Sequence, residues 1–212
     1  MALTWSARRL FESSSGWLSR RGNLLCQDGA RPSVPADPTP YRRPNMAKIS
    51  NLQELYVDEL KDLWSANDQM VRALKKISPQ ATNSKLKSKL DASPEGIERH
   101  TSMLKRLIEA QKGEVSKEHC KGMEGLVREA LKHTIEEAPE KGAVLDAAII
   151  AQYQRMTHYG ITGFGTVAAF ARALKLQDDS DKLEKAVKDM HIVDDLLTEL
   201  AEAAVNTKAV KG

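Results

Sequence analysis

The stretch SNLQELYVDELKDLWSANDQMVRALKKI, residues 50–77, decides the fold class of this chain. Ser50, with Gln53 three residues later, predicts a capping box at the start of a helix, and Pro79 predicts its end. Apolar side chains recur between these limits in steps of three and four, which places them on one helical face: Leu52, Tyr56, Leu60, Leu63, Met70, Leu74 and Ile77. We therefore predict a long amphipathic helix that buries one face.

Three further stretches show the same periodicity. They predict long helices over about residues 83–111 and 143–174, and a fourth helix that begins after residues 178–181. In the second helix Pro94 follows Ser93, and because proline lacks a backbone donor it predicts a kink or a break there.

The connection between the second and third long helices, residues 114–142, is long enough to cross the whole bundle. It contains a short amphipathic stretch that ends before Pro139. Helices joined by short loops run antiparallel, whereas a long crossover lets the helices on either side run parallel. We therefore predict an all-α fold: a ferritin-like four-helix bundle with a short extra helix in this crossover, running up, down, crossover, down, up.

Each predicted apolar stripe is interrupted near its middle by polar side chains: Asn67, His100, Thr157 with His158, and Asp194. Side chains that project from four facing helices at one depth are how bundle proteins build metal sites. Two histidines and one carboxylate are an adequate set for Fe(II) or Zn. His100, His158 and Asp194 are therefore the candidate metal ligands, with Asn67 and Glu98 nearby, and no catalytic or organic-cofactor residue is identified.

Residues 1–45 differ in composition from the rest of the chain. They hold five of the eight prolines and a net charge of +4, so the whole-chain charge of +3 leaves −1 for the remainder. Such a segment cannot bury enough apolar surface to offset its chain entropy. We predict a disordered basic Pro- and Arg-rich extension over 1–45, a helical bundle domain over 46–207 and a disordered tail over 208–212.

Three interpretations of the extension stay open. Its Arg and Ser content with few acids is typical of an organellar transit peptide, and residues 19–21 (SRR) resemble a twin-arginine signal, although no apolar stretch of signal length follows. Alternatively Met46 is the natural start of the protein. Because the basic charge lies in this extension and not on a folded face, we expect no nucleic-acid partner.

The cysteines indicate a reducing compartment. Cys26 lies in the extension and Cys120 in the predicted bundle, so the bundle cannot form an internal disulfide. No apolar run approaches the length of a membrane span. We expect a cytoplasmic protein without a membrane segment.

Three motifs in order resemble the YciE/YciF family of ferritin-like bacterial stress proteins. They are residues 55–63 (LYVDELKDL), 120–127 (CKGMEGLV) and 158–166 (HYGITGFGT), and the resemblance spans about residues 48–206. It implies an antiparallel helical bundle, a homodimer, a cytoplasmic location and production under stress, with no settled biochemical activity.

The chain departs from the family pattern where metal ligands are expected. Asn67 stands where relatives carry Glu, and residues 157–160 (THYG) stand where the pattern is Glu-His-Tyr-Glu. The paired Glu of the fourth helix becomes Asp189-Met190, while the acidic run of the second helix corresponds to Glu98-Arg99. A carboxylate-bridged dinuclear centre uses about four carboxylates and two histidines, and this chain retains few of them.

Three functions follow from these residues. The one favoured is a stress-response protein with a degenerate metal site and a structural or interaction role without catalysis, in which Asn67, His100, His158 and Asp194 close a polar layer by hydrogen bonds. The first alternative is an oxidoreductase or ferroxidase that uses di-iron or di-manganese. The second is a mononuclear metal-binding protein that uses the three candidate ligands.

Overall fold

The computed structural model describes residues 49–115 and 119–211. The predicted extension 1–45 and its three interpretations lie outside the described residues. In chain order the elements are α1 Leu52–Ile77, a 3₁₀ turn Ser78–Gln80, α2 Ser84–Ala110, α3 Lys121–Leu131 with a π-helical turn Lys132–Glu136, α4 Ala143–Ala173, α5 Gln177–Leu200, a π-helical turn Ala201–Val205 and α6 Asn206–Ala209. The all-α prediction, with one short helix in the crossover, is confirmed.

Helix α1 begins one residue later than the predicted capping box. The N-cap is Asn51, whose side-chain oxygen accepts from the backbone N–H of Glu54 at 2.9 Å. The Glu54 carboxylate in turn accepts from the backbone N–H of Ser50 at 2.8 Å and from Nδ2 of Asn51 at 2.9 Å, so Asn51 and Glu54 take the place of the predicted Ser50–Gln53 pair. Gln53 instead donates from Nε2 to Gln111 at the far end of α2, at 2.9 Å.

Helix α2 runs through Pro94 without the predicted break. The proline cannot donate a backbone hydrogen bond, which costs on the order of 3 kcal/mol in a helix interior. The residues on either side offset this cost, because Leu90 and Ile97 are both buried in one apolar cluster with α1 and α4. Tertiary packing therefore keeps α2 continuous past a local sequence signal for its end.

The C-terminal residues also differ from the prediction. The predicted disordered tail 208–212 begins inside α6, where Lys208 and Ala209 are helical. The turn before α6 buries Val205 in the core, which anchors the chain beyond the end of α5.

Hydrogen bonds between element ends fix the directions of the long helices. The pair Gln53–Gln111 joins the start of α1 to the end of α2. The pair Thr82–Asp146 joins the start of α2 to the start of α4. The pair Tyr56–Asp179 joins the start of α1 to the start of α5. Helices α1 and α2 are therefore antiparallel, α2 and α4 parallel, and α1 and α5 parallel. This is the predicted up, down, crossover, down, up arrangement, with α3 packed against α1 and α4.

The buried apolar residues form two clusters. One joins the C-terminal half of α1 with the N-terminal halves of α2 and α4, α3 and the end of α5. The other joins the opposite halves of the four long helices around Phe164. Asn67 lies in sequence between Leu63 of the second cluster and Met70 of the first, so the polar interruption of α1 falls at the junction of the clusters. None of the helices in the described ranges has an apolar stretch long enough to span a bilayer.

Candidate functional site in the bundle core

A cavity of about 460 Å³ lies among the four long helices. Each helix contributes polar side chains to its lining, among them Asn67 from α1, His100 from α2, Thr157 from α4 and Asp189 from α5. The structure therefore brings together three of the predicted polar positions. On α5, Asp189 lines the cavity and the predicted Asp194 does not.

Asn67 is one of two polar side chains of this cavity that are almost fully buried, the other being Thr157. Asn67 is 4% exposed, and its Nδ2 has no hydrogen-bond partner among the described residues. A buried amide without a partner loses its hydration and gains nothing in return. Thr157, by comparison, satisfies its hydroxyl by donating to the carbonyl of Tyr153 at 3.0 Å.

His100 pairs with Asp189 across the cavity, at 3.4 Å between Nε2 and Oδ2. Its ring packs at a tilt on Phe164, with ring centres 5.9 Å apart. Burial lowers the pKa of His100, although the hydrogen bond to Asp189 acts in the opposite direction. Asp189 also receives the Lys185 ammonium at 3.3 Å, so its carboxylate already has two partners.

His158 and Asp194 pair with each other outside this cavity, which corrects the predicted ligand set. Their Nε2 and Oδ2 lie 2.9 Å apart, with side chains 58% and 15% exposed. Gln154 donates to the second Asp194 oxygen at 3.0 Å. A helical period of 3.6 residues allows either of two neighbours to face inward, and α5 turns Val193 toward the cavity instead of Asp194.

Glu98, placed near the predicted site, faces away from it. Its carboxylate forms an exposed ion pair with Lys75 at 3.3 Å. His100, two residues further along α2, points to a different side of the helix and is the only metal-ligating side chain of α2 in the cavity lining.

The residues of the cavity do not fit a metal. Among the described residues, no group of three or more His, Cys, Asp and Glu side chains is arranged to hold an ion. The cavity lining offers one imidazole and one carboxylate, and it adds Lys89, Arg99 and Lys185, whose charges repel a cation. The predicted set of His100, His158 and Asp194 is therefore not assembled.

A second polar cluster, which sequence periodicity did not identify, joins the crossover to the bundle. The Sγ of Cys120 lies 3.1 Å from Oδ2 of Asp62 and 3.0 Å from the hydroxyl of Tyr159. Tyr159 donates to the same Asp62 oxygen at 2.8 Å. One carboxylate oxygen thus accepts from both a thiol and a phenol, and the three groups close a triangle.

The backbone of Cys120 is held as firmly as its side chain. Its N–H donates to Ser65 Oγ at 3.0 Å, and its carbonyl accepts from Gln69 Nε2 at 3.0 Å. Burial raises the pKa of the Cys120 thiol and, together with Asp62, raises the pKa of Tyr159. Both groups are therefore protonated near neutral pH, which suits hydrogen bonding and opposes nucleophilic reactivity. Each of the three residues lies in a different one of the three motifs quoted above.

Comparison with known proteins agrees with this architecture. A family model described as a domain of unknown function (DUF892) matches residues 51–210. Protein YciF of Escherichia coli K12 is 31% identical over 162 residues, which are 76% of this chain and 96% of that protein.

Two solved structures are similar. The crystal structure of the E. coli stress protein YciF superposes with a TM-score of 0.70 at 30% identity, covering 76% of this chain and all of that one. YcfI, "a putative structural protein from Rhodopseudomonas palustris", superposes with a TM-score of 0.67 at 30% identity, covering 72% of this chain and 96% of that one. These matches confirm the resemblance drawn from the three motifs.

Proposed function

This chain belongs to the DUF892 family, and from that premise we propose that it is a stress-response bundle protein with a structural or interaction role and a degenerate metal site. The observation that carries the proposal is the composition of the central cavity. Where a dinuclear centre needs about four carboxylates and two histidines, this cavity has Asp189 and His100. Asp189 is already neutralised by Lys185.

The relatives support the same proposal. The E. coli protein is described as a stress protein and the R. palustris protein as "a putative structural protein". The resemblance further supports a cytoplasmic homodimer. The alternative of a di-iron or di-manganese oxidoreductase finds no matching set of ligands in the described residues.

Elemental analysis of the full chain, produced with iron, manganese and zinc in the medium, tests the proposal. We expect well under one metal per chain. The comparison is a variant with Asn67→Glu and Thr157→Glu, which adds two carboxylates beside His100 and Asp189 and moves the cavity toward the family pattern. We expect this variant to gain bound metal.

The wild-type measurement decides the proposal even if the variant does not fold, which circular dichroism would reveal. About two metals per wild-type chain, retained through gentle purification, would overturn the non-catalytic assignment. Oxygen-dependent oxidation of Fe(II) by the wild-type chain above the rate of buffer alone would overturn it independently.

A further inference from the structure

The central cavity has the size of a small-molecule site, and its lining combines apolar and polar side chains. Its volume of about 460 Å³ lies within the range of ligand pockets, which are mostly apolar with a few placed polar groups. Met70, Ile97 and Tyr153 supply apolar walls from three helices. The fourth wall, on α5, includes Val193 and Leu196.

Asn67, one of the residues that line the cavity, carries a buried donor, Nδ2, without a hydrogen-bond partner among the described residues. Rotation about the Cβ–Cγ bond can present this nitrogen to a ligand. A carbonyl oxygen inside the cavity would satisfy the donor, whereas an apolar group would leave it unsatisfied.

The more exposed part of the lining is positively charged. The lining contains three cationic side chains and one carboxylate, an excess of two positive charges: Lys89, Arg99 and Lys185, with Asp189. Lys185 is paired with Asp189, and Arg99 with Glu95 at 2.6 Å. Lys89 has no ion pair within residues 49–115 and 119–211. An anionic group held here remains partly hydrated, which avoids the cost of burying a charge.

We propose that this cavity binds a small organic carboxylate. The charged end of this ligand lies among Lys89, Arg99 and Lys185, and its apolar body fills the space between the helices. Its far end presents a carbonyl oxygen to Asn67. The inference rests on the proposed function in one respect, that the cavity does not hold a metal centre. It adds the chemical class of ligand that takes the metal's place.

Calorimetric titration of the full chain with three matched probes tests this inference. The probes are 7-oxooctanoate, octanoate, which lacks the ketone, and methyl 7-oxooctanoate, which lacks the charge. We expect 7-oxooctanoate to bind about threefold to tenfold more tightly than octanoate, the effect of one hydrogen bond. We expect it to bind about threefold more tightly than the ester, since the cations are partly exposed.

Two variants assign each preference to its residues. Asn67→Leu should abolish the preference for the ketone and keep the preference for the carboxylate. Lys89→Ala combined with Lys185→Ala should abolish the preference for the carboxylate and keep the preference for the ketone. Lys85→Ala combined with Lys188→Ala is the matched control, because these exposed lysines occupy the same two helices outside the cavity lining, and it should bind as the wild type does.

The inference is overturned if none of the probes binds, if all three bind equally, or if the ketone preference survives in Asn67→Leu. All titrations contain a chelator, so their outcome is independent of any metal. If the probes do not bind and the wild-type chain is free of metal, this inference fails and the proposed function stands. If the elemental analysis finds bound metal, the premise that the cavity holds no metal centre fails.

Discussion

At the scale of single residues, Asn67 lowers the stability of the folded chain. A buried donor without a partner costs on the order of 1–3 kcal/mol. Replacing Asn67 by Leu removes that donor and joins the two apolar clusters. We therefore expect Asn67→Leu to raise the free energy of unfolding by about 1 kcal/mol, as measured by urea denaturation.

Gln69 supplies the matched control for Asn67. It lies two residues along α1 and is 6% exposed, but its Nε2 donates to Ser65 Oγ and to the Cys120 carbonyl. Gln69→Leu should therefore lower the free energy of unfolding by about 1–3 kcal/mol. If both leucine variants shift stability in the same direction, hydrogen-bond satisfaction is not what distinguishes the two amides.

His100 predicts a pH dependence of stability. Burial lowers its pKa from the ordinary 6.5, so the unfolded chain takes up a proton at a higher pH than the folded chain does. The stability held by neutral His100 is present above the unfolded pKa and is lost as the pH falls below it. Asp189 opposes this shift, whereas Lys185 and Arg99 reinforce it.

Replacing His100 by Gln should therefore flatten the decline in stability between about pH 7.5 and about pH 5.5. The measurement is the free energy of unfolding in urea at both pH values, with His191→Gln as the control because His191 is exposed on α5. An equal decline in wild type and His100→Gln would show that other groups carry the acid sensitivity.

At the scale of elements, the packing of α3 on α4 includes one close contact at Gly122. A methyl group added at Gly122 would meet the Tyr159 ring at 2.7 Å and its hydroxyl at 2.9 Å, whereas one added at Gly125 would meet nothing within 4 Å. The ring cannot yield freely, because Tyr159 is hydrogen-bonded to Asp62 and Cys120.

We expect Gly122→Ala to lower the free energy of unfolding by about 1–3 kcal/mol through overpacking. Gly125→Ala, three residues along the same helix, should raise it by up to about 1 kcal/mol, because alanine is the better helix former. Thermal and urea denaturation of the two variants measure both effects. A stable Gly122→Ala chain would mean that α3 can shift away from α4 without loss.

Periodicity predicted the helices because each stripe is a local property of the sequence. The same property leaves the inward direction uncertain by one residue. Only the structure shows that Thr157, and not His158, lines the cavity, and that Val193 lies there instead of Asp194. The triangle of Asp62, Cys120 and Tyr159 could not be predicted from spacing, because a non-helical turn brings Cys120 to α1 and α4. Its single signal was that all three residues lie within the family motifs.

At the scale of the whole molecule, a layer of polar side chains lies between two apolar clusters. The clusters and the contacts of the crossover join the four long helices. The residues that hold the fold are therefore largely distinct from those of the polar layer. That fold matches the E. coli relative with a TM-score of 0.70.

The proposed homodimer also belongs to this scale, and one face of α5 is suited to it. Ile192 and Leu196 lie one turn apart with 58% and 38% of their surfaces exposed. Neighbouring exposed apolar side chains mark association surfaces more often than isolated ones do. In a twofold dimer the same patch is used by both chains, so one substitution acts twice.

We therefore expect the full chain to be dimeric by size-exclusion chromatography with light scattering, and Ile192→Lys to weaken the dimer by about tenfold or more. Val210→Lys is the control, since Val210 is 89% exposed outside α5 and its replacement should leave the dimer intact. A monomeric wild type would remove the homodimer proposal. A dimer that resists Ile192→Lys would place the interface on another face, because two added charges at a buried contact cannot be accommodated without loss of affinity.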